Sequence, residues 1–364
     1  MIVSFSTRRL RLFFLLVVAG LGLPASARTL LVDQRGHAEF LSIAAAVKVA
    51  TPGDTIKLVP GSGPYREIVN ITSSGTEGSP ITLDGSDEVI TGADPLTGFR
   101  KDGEAWVCDL AQYYTTAQPV QGFSKVNGRW TSKVTPAPVP FVVTYRGERL
   151  LQDSTTGQFT RYARLSDDRN TLVLLPGTDA DGWEISVRSY VVKIETASHQ
   201  VYQHIRATGS LNDGFNIHGD GRDLVFEDIE AFNNLDEGFS AHDTISCTVT
   251  RARLYRNDNG LTNANQSFMK GSDIVCRDNL GFGLYLQSAS GDLDQIDCGG
   301  NGVGQLVLHM GATVTLGRVT LTPGKWTKKP WLSSQESGQD PAGQPLMKGS
   351  KLTINGNPPI LLNP

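Results

Sequence analysis

The sequence predicts an all-β chain whose second half is a coil of parallel strands, one turn per repeat, and three observations lead there. Asn234, Asn257, Asn279 and Asn301 recur at spacings of 23, 22 and 22. Gly214, Gly238, Gly260, Gly283 and Gly304 recur at 24, 22, 23 and 21, so a second marker keeps the same period. Alternating pairs flank both markers: Ile229/Ala231, Ala252/Leu254, Ile274/Cys276 and Ile296/Cys298 precede the Asn, and Phe215/Ile217, Phe239/Ala241, Leu261/Asn263 and Leu284/Leu286 follow the Gly. Two period-two segments separated by turn residues mean two strands per repeat. Leucine-rich repeats of similar length need a Leu consensus and a helical half, which are missing here. Stacked turns bring like positions about 4.8 Å apart. A buried Asn at the same bend of every turn then bonds to its neighbours above and below, satisfying backbone groups that the bend leaves unpaired.

From the N-terminus, residues 1–27 read as a secretory signal: Arg8, Arg9 and Arg11, an apolar run from Leu12 to Leu23, and the small residues Ala25-Ser26-Ala27. The expected location is secreted or periplasmic, with no membrane span after cleavage, because nothing else is apolar enough. Hydrophobic residues make up 39% and charged residues 19%, within the globular range, and a formal charge of -4 is too slight to suggest nucleic acid as a partner. Phe40 to Ala50 reads as a short amphipathic helix with Ser42 as N-cap. Pro52-Gly53-Asp54-Thr55-Ile56, Pro60-Gly61, and Ser74-Gly75-Thr76 through Pro80-Ile81-Thr82-Leu83 follow.

A helix leading into these elements and then into Asn-marked coils resembles the right-handed parallel β-helix of the pectin-lyase-like superfamily of secreted polysaccharide-active proteins. The resemblance implies an N-terminal capping helix with the first coils over 28–96 and regular coils over 195–322. Between them, over 97–194, the beat is lost. Phe141–Tyr145 and Leu150-Leu151 flank Arg146-Gly147-Glu148 as a hairpin, and the strands Thr171–Leu175 and Glu184–Val187 follow, which reads as an inserted antiparallel β subdomain. Residues 323–364 form a tail or cap, with a polar loop over 334–346 and a last strand over Ser350–Asn355. Cys276 and Cys298 fall at one position of successive turns, where either a disulfide or two small buried thiols fit. Cys108 and Cys247 have no evident partner.

If the first and third residues after each Gly face the core, the second and fourth face outward on one strand surface. That surface carries Asn216 and His218, Ser240 and His242, Thr262 and Ala264, and Tyr285 and Gln287. At the turn ahead of it gather Asp213, Asp236 and Glu237, and Asp220 and Asp243 close its far end. Two imidazoles between two groups of carboxylates are the strongest functional signal in the chain, since crowded acids shift one another's proton affinity. The expected partner is an extended polysaccharide lying along the stacked turns.

Three chemistries suit these residue types. The first is proton abstraction with β-elimination on an acidic polysaccharide, with His242 or His218 as base, Tyr285 as acid, and Asn216, Ser240, Asp243, Gln287, Arg253 and Lys270 binding substrate; Arg256 and Arg277 offer further positive charge. Gly238-Phe239-Ser240-Ala241-His242-Asp243 resembles the G-F-D-P-H-D motif of alginate C5-epimerases, with Ser240 and Ala241 in place of its Asp and Pro. The second is glycoside hydrolysis by Asp213 with Asp236 or Glu237. Asn212-Asp213-Gly214 and Asp236-Glu237-Gly238 resemble the N-T-D and D-D elements of polygalacturonases, though that family's G-H-G and R-I-K elements are missing. The third is a divalent ion, Ca²⁺ if oxygens dominate, although no ligand spacing assigns a metal. A non-catalytic polysaccharide-binding module is the reading from a different class.

Overall fold

A computed structural model describes residues 27–117, 123–126, 129–132, 139–153, 156–324, 346–347, 350–354 and 361–362. The expected signal segment, except Ala27, and the expected loop over 334–346, except Leu346, lie outside the described residues.

Two parallel sheets wind around one core. In the first, ten strands follow one another from Thr29–Val32 to Lys351–Ile354, the longest being Gln200–Thr208, Leu224–Phe232, Ser246–Tyr255, Phe268–Arg277 and Ser290–Gly300. The second runs from Val69–Asn70 through Val192–Glu195, Phe215–His218, Glu237–Ala241, Asn259–Ala264, Phe282–Gln287 and Gly304–His309 to Leu346–Met347. The register follows the sequence period: Ile205, Ile229, Ala252, Ile274 and Ile296 stand in line, and so do Ala207, Ala231, Leu254, Cys276 and Cys298. Both columns are buried, as are the four pairs that follow the Gly. Each aliphatic side chain so removed from water contributes about 1.5–3 kcal/mol.

Every long strand turns at its middle on one residue with positive φ: His204 at 52°, Asp228 at 51°, Arg251, Asp273 and Gln295 at 54°. These bends were not legible beforehand, because the left-handed position is held by four different residue types and never by the Gly that usually signals it.

The Asn column forms as expected. Asn279 Oδ1 accepts the backbone N–H of Asn257 at 3.0 Å and its Nδ2 at 3.3 Å, while Asn279 Nδ2 donates to Leu254 O at 3.1 Å and to Asn301 Oδ1 at 2.9 Å. Ser210 joins the upper end through Asn234, and Gln305 closes the lower end by accepting from Asn301 Nδ2 at 2.7 Å. The repeat Gly is explained by the same column. A Cβ on Gly260 would sit 2.6 Å from Gly283 O and 2.9 Å from Asn279 Nδ2, so no side chain fits where the turns approach.

Near the N-terminus a short helix, α1, covers Ile43–Val47, and Ser42 accepts from Ala45 N. It is shorter than the stretch from Phe40 to Ala50, and its Ile43 and Ala46 join the core. The antiparallel insert is present as two four-stranded sheets around Trp183, Phe141 and Leu172. Its outer strand Ala93–Pro95 starts before position 97, and Val192–Glu195 already pairs with the coils on either side. Arg149, 6% exposed, pins the insert to the coils: Nη1 donates to Asn234 O at 2.8 Å and Arg256 O at 2.7 Å. Burial pushes its pKa down to about 10. Cys276 and Cys298 are register partners and buried free thiols, as are Cys108 and Cys247 singly. Among the described residues no helix is long and apolar enough to cross a membrane.

Candidate functional site

The outward residues of the second sheet, from the Phe215–His218 strand to the Phe282–Gln287 strand, converge on a cleft of about 320 Å³. Its lining includes Asp213, Asp236, Glu237, Asn216, His218, His242, Thr262, Ala264, Tyr285 and Gln287. A larger pocket of about 520 Å³ lies at the seam of the insert. There Glu184 is bound to Arg66, Arg206 to Glu230, and Glu88 to the N–H groups of Gly61 and Gly63, so these three charges already serve the fold. Chemistry concentrates in the smaller cleft.

One expectation needs correcting. The outward residues do not stand in open solvent: Ser240 is fully buried, and Asn216, Thr262, Ala264 and Tyr285 are buried too. Stacking at strand spacing lets each side chain cover the next, and the acidic turn and Tyr190 flank them. Partly buried polar groups interact more strongly than they would in water.

The two imidazoles meet as the register requires. His218 and His242 stack with centroids 4.4 Å apart and planes within 3°. His218 Nδ1 lies 3.1 Å from Asp243 Oδ2, which also accepts the Gly219 N–H at 2.9 Å. That backbone bond, followed by His218, holds the Asp243 carboxyl below the ordinary range against a partial burial cost. Burial, then the neighbouring His218, lowers the pKa of His242, so its ring is neutral at pH 7.

Across the cleft, one oxygen from each of Asp213, Asp236 and Glu237 lies within 4.8 Å of the others. Asp213 accepts from Asn216 Nδ2 at 2.6 Å, Ser240 Oγ at 2.7 Å and the Glu237 N–H at 3.2 Å, and the Glu237 side chain bonds to it and to Asp236 as well. Glu237 accepts from Asn259 Nδ2 and Thr262 Oγ1, both at 3.2 Å. Burial, then the charges of Asp236 and Asp213, pushes the Glu237 pKa well above the usual carboxylate range, so this carboxyl retains its proton where its neighbours would repel a third charge. The three oxygens also form a donor set that could hold a divalent metal ion.

Tyr285 bonds through its hydroxyl to Gln287 and lies 3.4 Å from His309 Nδ1. Burial, then Glu237, raises its pKa, so it stays a phenol. The structure thus brings together Asp213, Asp236, Glu237, Asn216, Ser240, His218, His242, Asp243, Tyr285 and Gln287. It does not bring Arg253 or Lys270 to them: both belong to strands of the first sheet, Arg253 pairing with Asp273 at 3.1 Å and Lys270 exposed. Arg277 pairs there with Asp297, and the Arg256 carbonyl serves Arg149. Two neighbours of the site were not foreseen, though the beat reaches both. Tyr190 stands 24 residues before Gly214, and His309 stands 22 after Gln287, one turn beyond each end of the repeats that were counted.

Comparison with known proteins bears on fold. No family model matches the chain, and no curated protein matches it. Among solved structures, one described as the complex structure of XylC with xylose superposes with a TM-score of 0.51 at 14% identity, covering 82% of this chain and 69% of that one. One described as a glycoside hydrolase gives 0.50 at 11% identity, covering 92% and 96%. The pectate lyase Pel9A gives 0.46 at 12% identity, covering 92% and 77%. The fold is a parallel β-helix, and the likeness to these structures extends to fold alone.

Proposed function

We propose that the chain hydrolyses glycosidic bonds of an uncharged glycan, with Glu237 as proton donor, Asp213 as nucleophile and retention of anomeric configuration. One observation carries the reading: three carboxyl groups face one another within 4.8 Å, one of them with a strongly raised pKa. Glycoside hydrolysis needs such a pair, one carboxyl protonated and one not, and close spacing favours the covalent route over the wider gap that an interposed water requires. In the first step the Asp213 carboxylate attacks the anomeric carbon as the glycosidic C–O bond breaks, and the Glu237 proton passes to the departing oxygen. In the second, water attacks that carbon, releasing Asp213, and its proton goes to the Glu237 carboxylate, restoring both groups. Asp236 keeps the Glu237 proton in place, and His242 and Asn216 offer hydrogen bonds to sugar hydroxyls. The similarity to a glycoside hydrolase and to a xylose-bound protein is one of fold and weighs only as such.

The uncharged substrate follows from the lining, which holds three carboxyl groups and neither Lys nor Arg. A sugar carboxylate about 4 Å from an ionised carboxyl would meet a repulsion of about 4 kcal/mol in surroundings of moderate polarity. A second reading, β-elimination, is favoured by one observation, the half-buried neutral imidazole of His242 beside a donor set suited to a divalent ion. Incubation with neutral and uronic-acid glycans separates the two. Hydrolysis predicts new reducing ends from neutral glycans, no ultraviolet absorbance from an unsaturated product, and no effect of EDTA. Unsaturated product from a uronate, lost with EDTA and restored by Ca²⁺, would replace the first reading with the second. Activity is also expected to fall as pH rises through the elevated pKa of Glu237, because the donor loses its proton; a rate that keeps climbing above neutrality contradicts that role.

A further inference from the structure

The outward face can be read rung by rung, since one column runs in register through Lys193, Asn216, Ser240, Thr262, Tyr285 and Val307. The cleft occupies only the middle of this column. Its lining takes in the rungs from Asn216 to Tyr285 and includes neither Lys193 nor Val307. Toward the N-terminus, Lys193 is clamped to Glu195 at 2.8 Å and lies 5.8 Å from the ring of Tyr190, which lines the cleft. Toward the C-terminus, Tyr285 packs with Phe282, Val303 and Val307 in a small apolar cluster. Val307 stands next in the column and outside the lining, and its packing against Tyr285 sets an apolar group at that end of the cleft. The Tyr285 hydroxyl, tied to Gln287 and near His309, holds that end wall upright.

Four rungs enclose three spacings, or about 14 Å. A pyranose in an extended chain advances by close to one rung, so the cleft holds about three rings. The acids are not centred in it. Asp213 belongs to the Asn216 turn and Glu237 to the Ser240 turn, the two rungs nearest the Tyr190 end. One ring therefore fits over the spacing from Asn216 to Ser240, beside the acids and facing the stacked imidazoles. About two more fit over the spacings from Ser240 to Thr262 and from Thr262 to Tyr285, where the small side chains of Thr262 and Ala264 leave room. The nucleophile lies toward the single-ring side and the proton donor one rung toward the two-ring side.

We infer that the protein acts at chain ends, releasing the non-reducing terminal sugar from short neutral glycans of about three rings, rather than cutting within a long polymer. The inference rests on the hydrolase reading for the word "releasing" and on the cleft alone for the length. It replaces the extended polysaccharide expected from the repeats with a short segment of one.

The test has two arms, both on the full chain. Calorimetry of Glu237→Gln, in which turnover is expected to be slow, with xylo-, cello- and manno-oligosaccharides of one to six rings reads the length of the cleft. Affinity should rise up to three rings in the series that binds and stay level beyond. In Tyr285→Ala the level should move to longer chains, while Tyr285→Phe, which keeps the ring, should leave it in place. Product analysis of the unaltered protein reads the reaction: a monosaccharide should appear from the first turnovers, with polymer viscosity falling slowly. Affinity that keeps rising to six rings, or a spread of internal fragments with a rapid fall in viscosity, overturns the inference. A plateau at three rings with no new reducing ends keeps the cleft length and overturns the hydrolase reading. An absence of binding in all three series overturns both.

Discussion

Glu237→Gln is expected to lower kcat on neutral oligosaccharides by about 10²–10⁴-fold, the range a positioned proton donor contributes. The substitution keeps shape and the bonds from Asn259 and Thr262, and removes only the proton that the leaving oxygen needs. The loss should therefore be much smaller on an aryl glycoside whose leaving group departs without a proton. Asp213→Asn should slow both substrates, because attack on the anomeric carbon precedes either departure. A Glu237→Gln enzyme equally impaired on both substrates, or unimpaired on either, would place the donor elsewhere. The same variant should change stability in a direction fixed by linkage. The folded-state pKa of Glu237 is raised by burial and then by Asp236 and Asp213, so its contribution is fully present below the unfolded value of about 4.3 and is lost as pH rises through the folded value. Gln has no proton to lose. Denaturant midpoints of the two proteins should separate above about pH 4.3, the variant becoming the more stable, and the gap should grow until the folded pKa is passed.

Asn279→Ala should cost about 3–5 kcal/mol of stability, measured by denaturant unfolding, since each buried polar group left without a partner costs about 1–3 kcal/mol. The amide serves three coils at once. It accepts from the backbone N–H and side chain of Asn257, donates to Leu254 O, and donates to Asn301. Gly260 offers no side chain to fill the space, since its backbone sits against this amide. A loss below about 1 kcal/mol would mean that water or a shift of the turn satisfies those groups, and that the column decorates the fold rather than supporting it.

The period was legible because the same physical demand recurs at every turn. The bend leaves backbone groups that only a short amide satisfies, and close approach leaves room only for Gly, so Asn and Gly return at fixed intervals. The vertical pairing of His218 with His242, and the gathering of Asp213 with Asp236 and Glu237, followed from counting residues. Burial did not. Alternation says which way a side chain points and nothing about what lies beside it, so Ser240 and Thr262 were expected in solvent and are enclosed by their neighbours above and below. The bends at His204, Asp228, Arg251, Asp273 and Gln295 carried no common residue to mark them. Arg253 and Lys270 show the limit on the other side. Positive charge near the motif in sequence suggested carboxylate binding, but these positions fall in the strand before and the strand after the neighbouring turns, on the other sheet.

Proton NMR of the first product formed from a neutral glycoside tests the central claim most directly, because anomeric configuration reports how the two carboxyl groups share the reaction. With Asp213 attacking and Glu237 donating across less than 4.8 Å, the first-formed sugar should carry the anomeric configuration of the substrate and only later equilibrate. An initially inverted anomer would contradict direct attack by Asp213, and an unsaturated sugar in place of a hydrated one would contradict hydrolysis altogether.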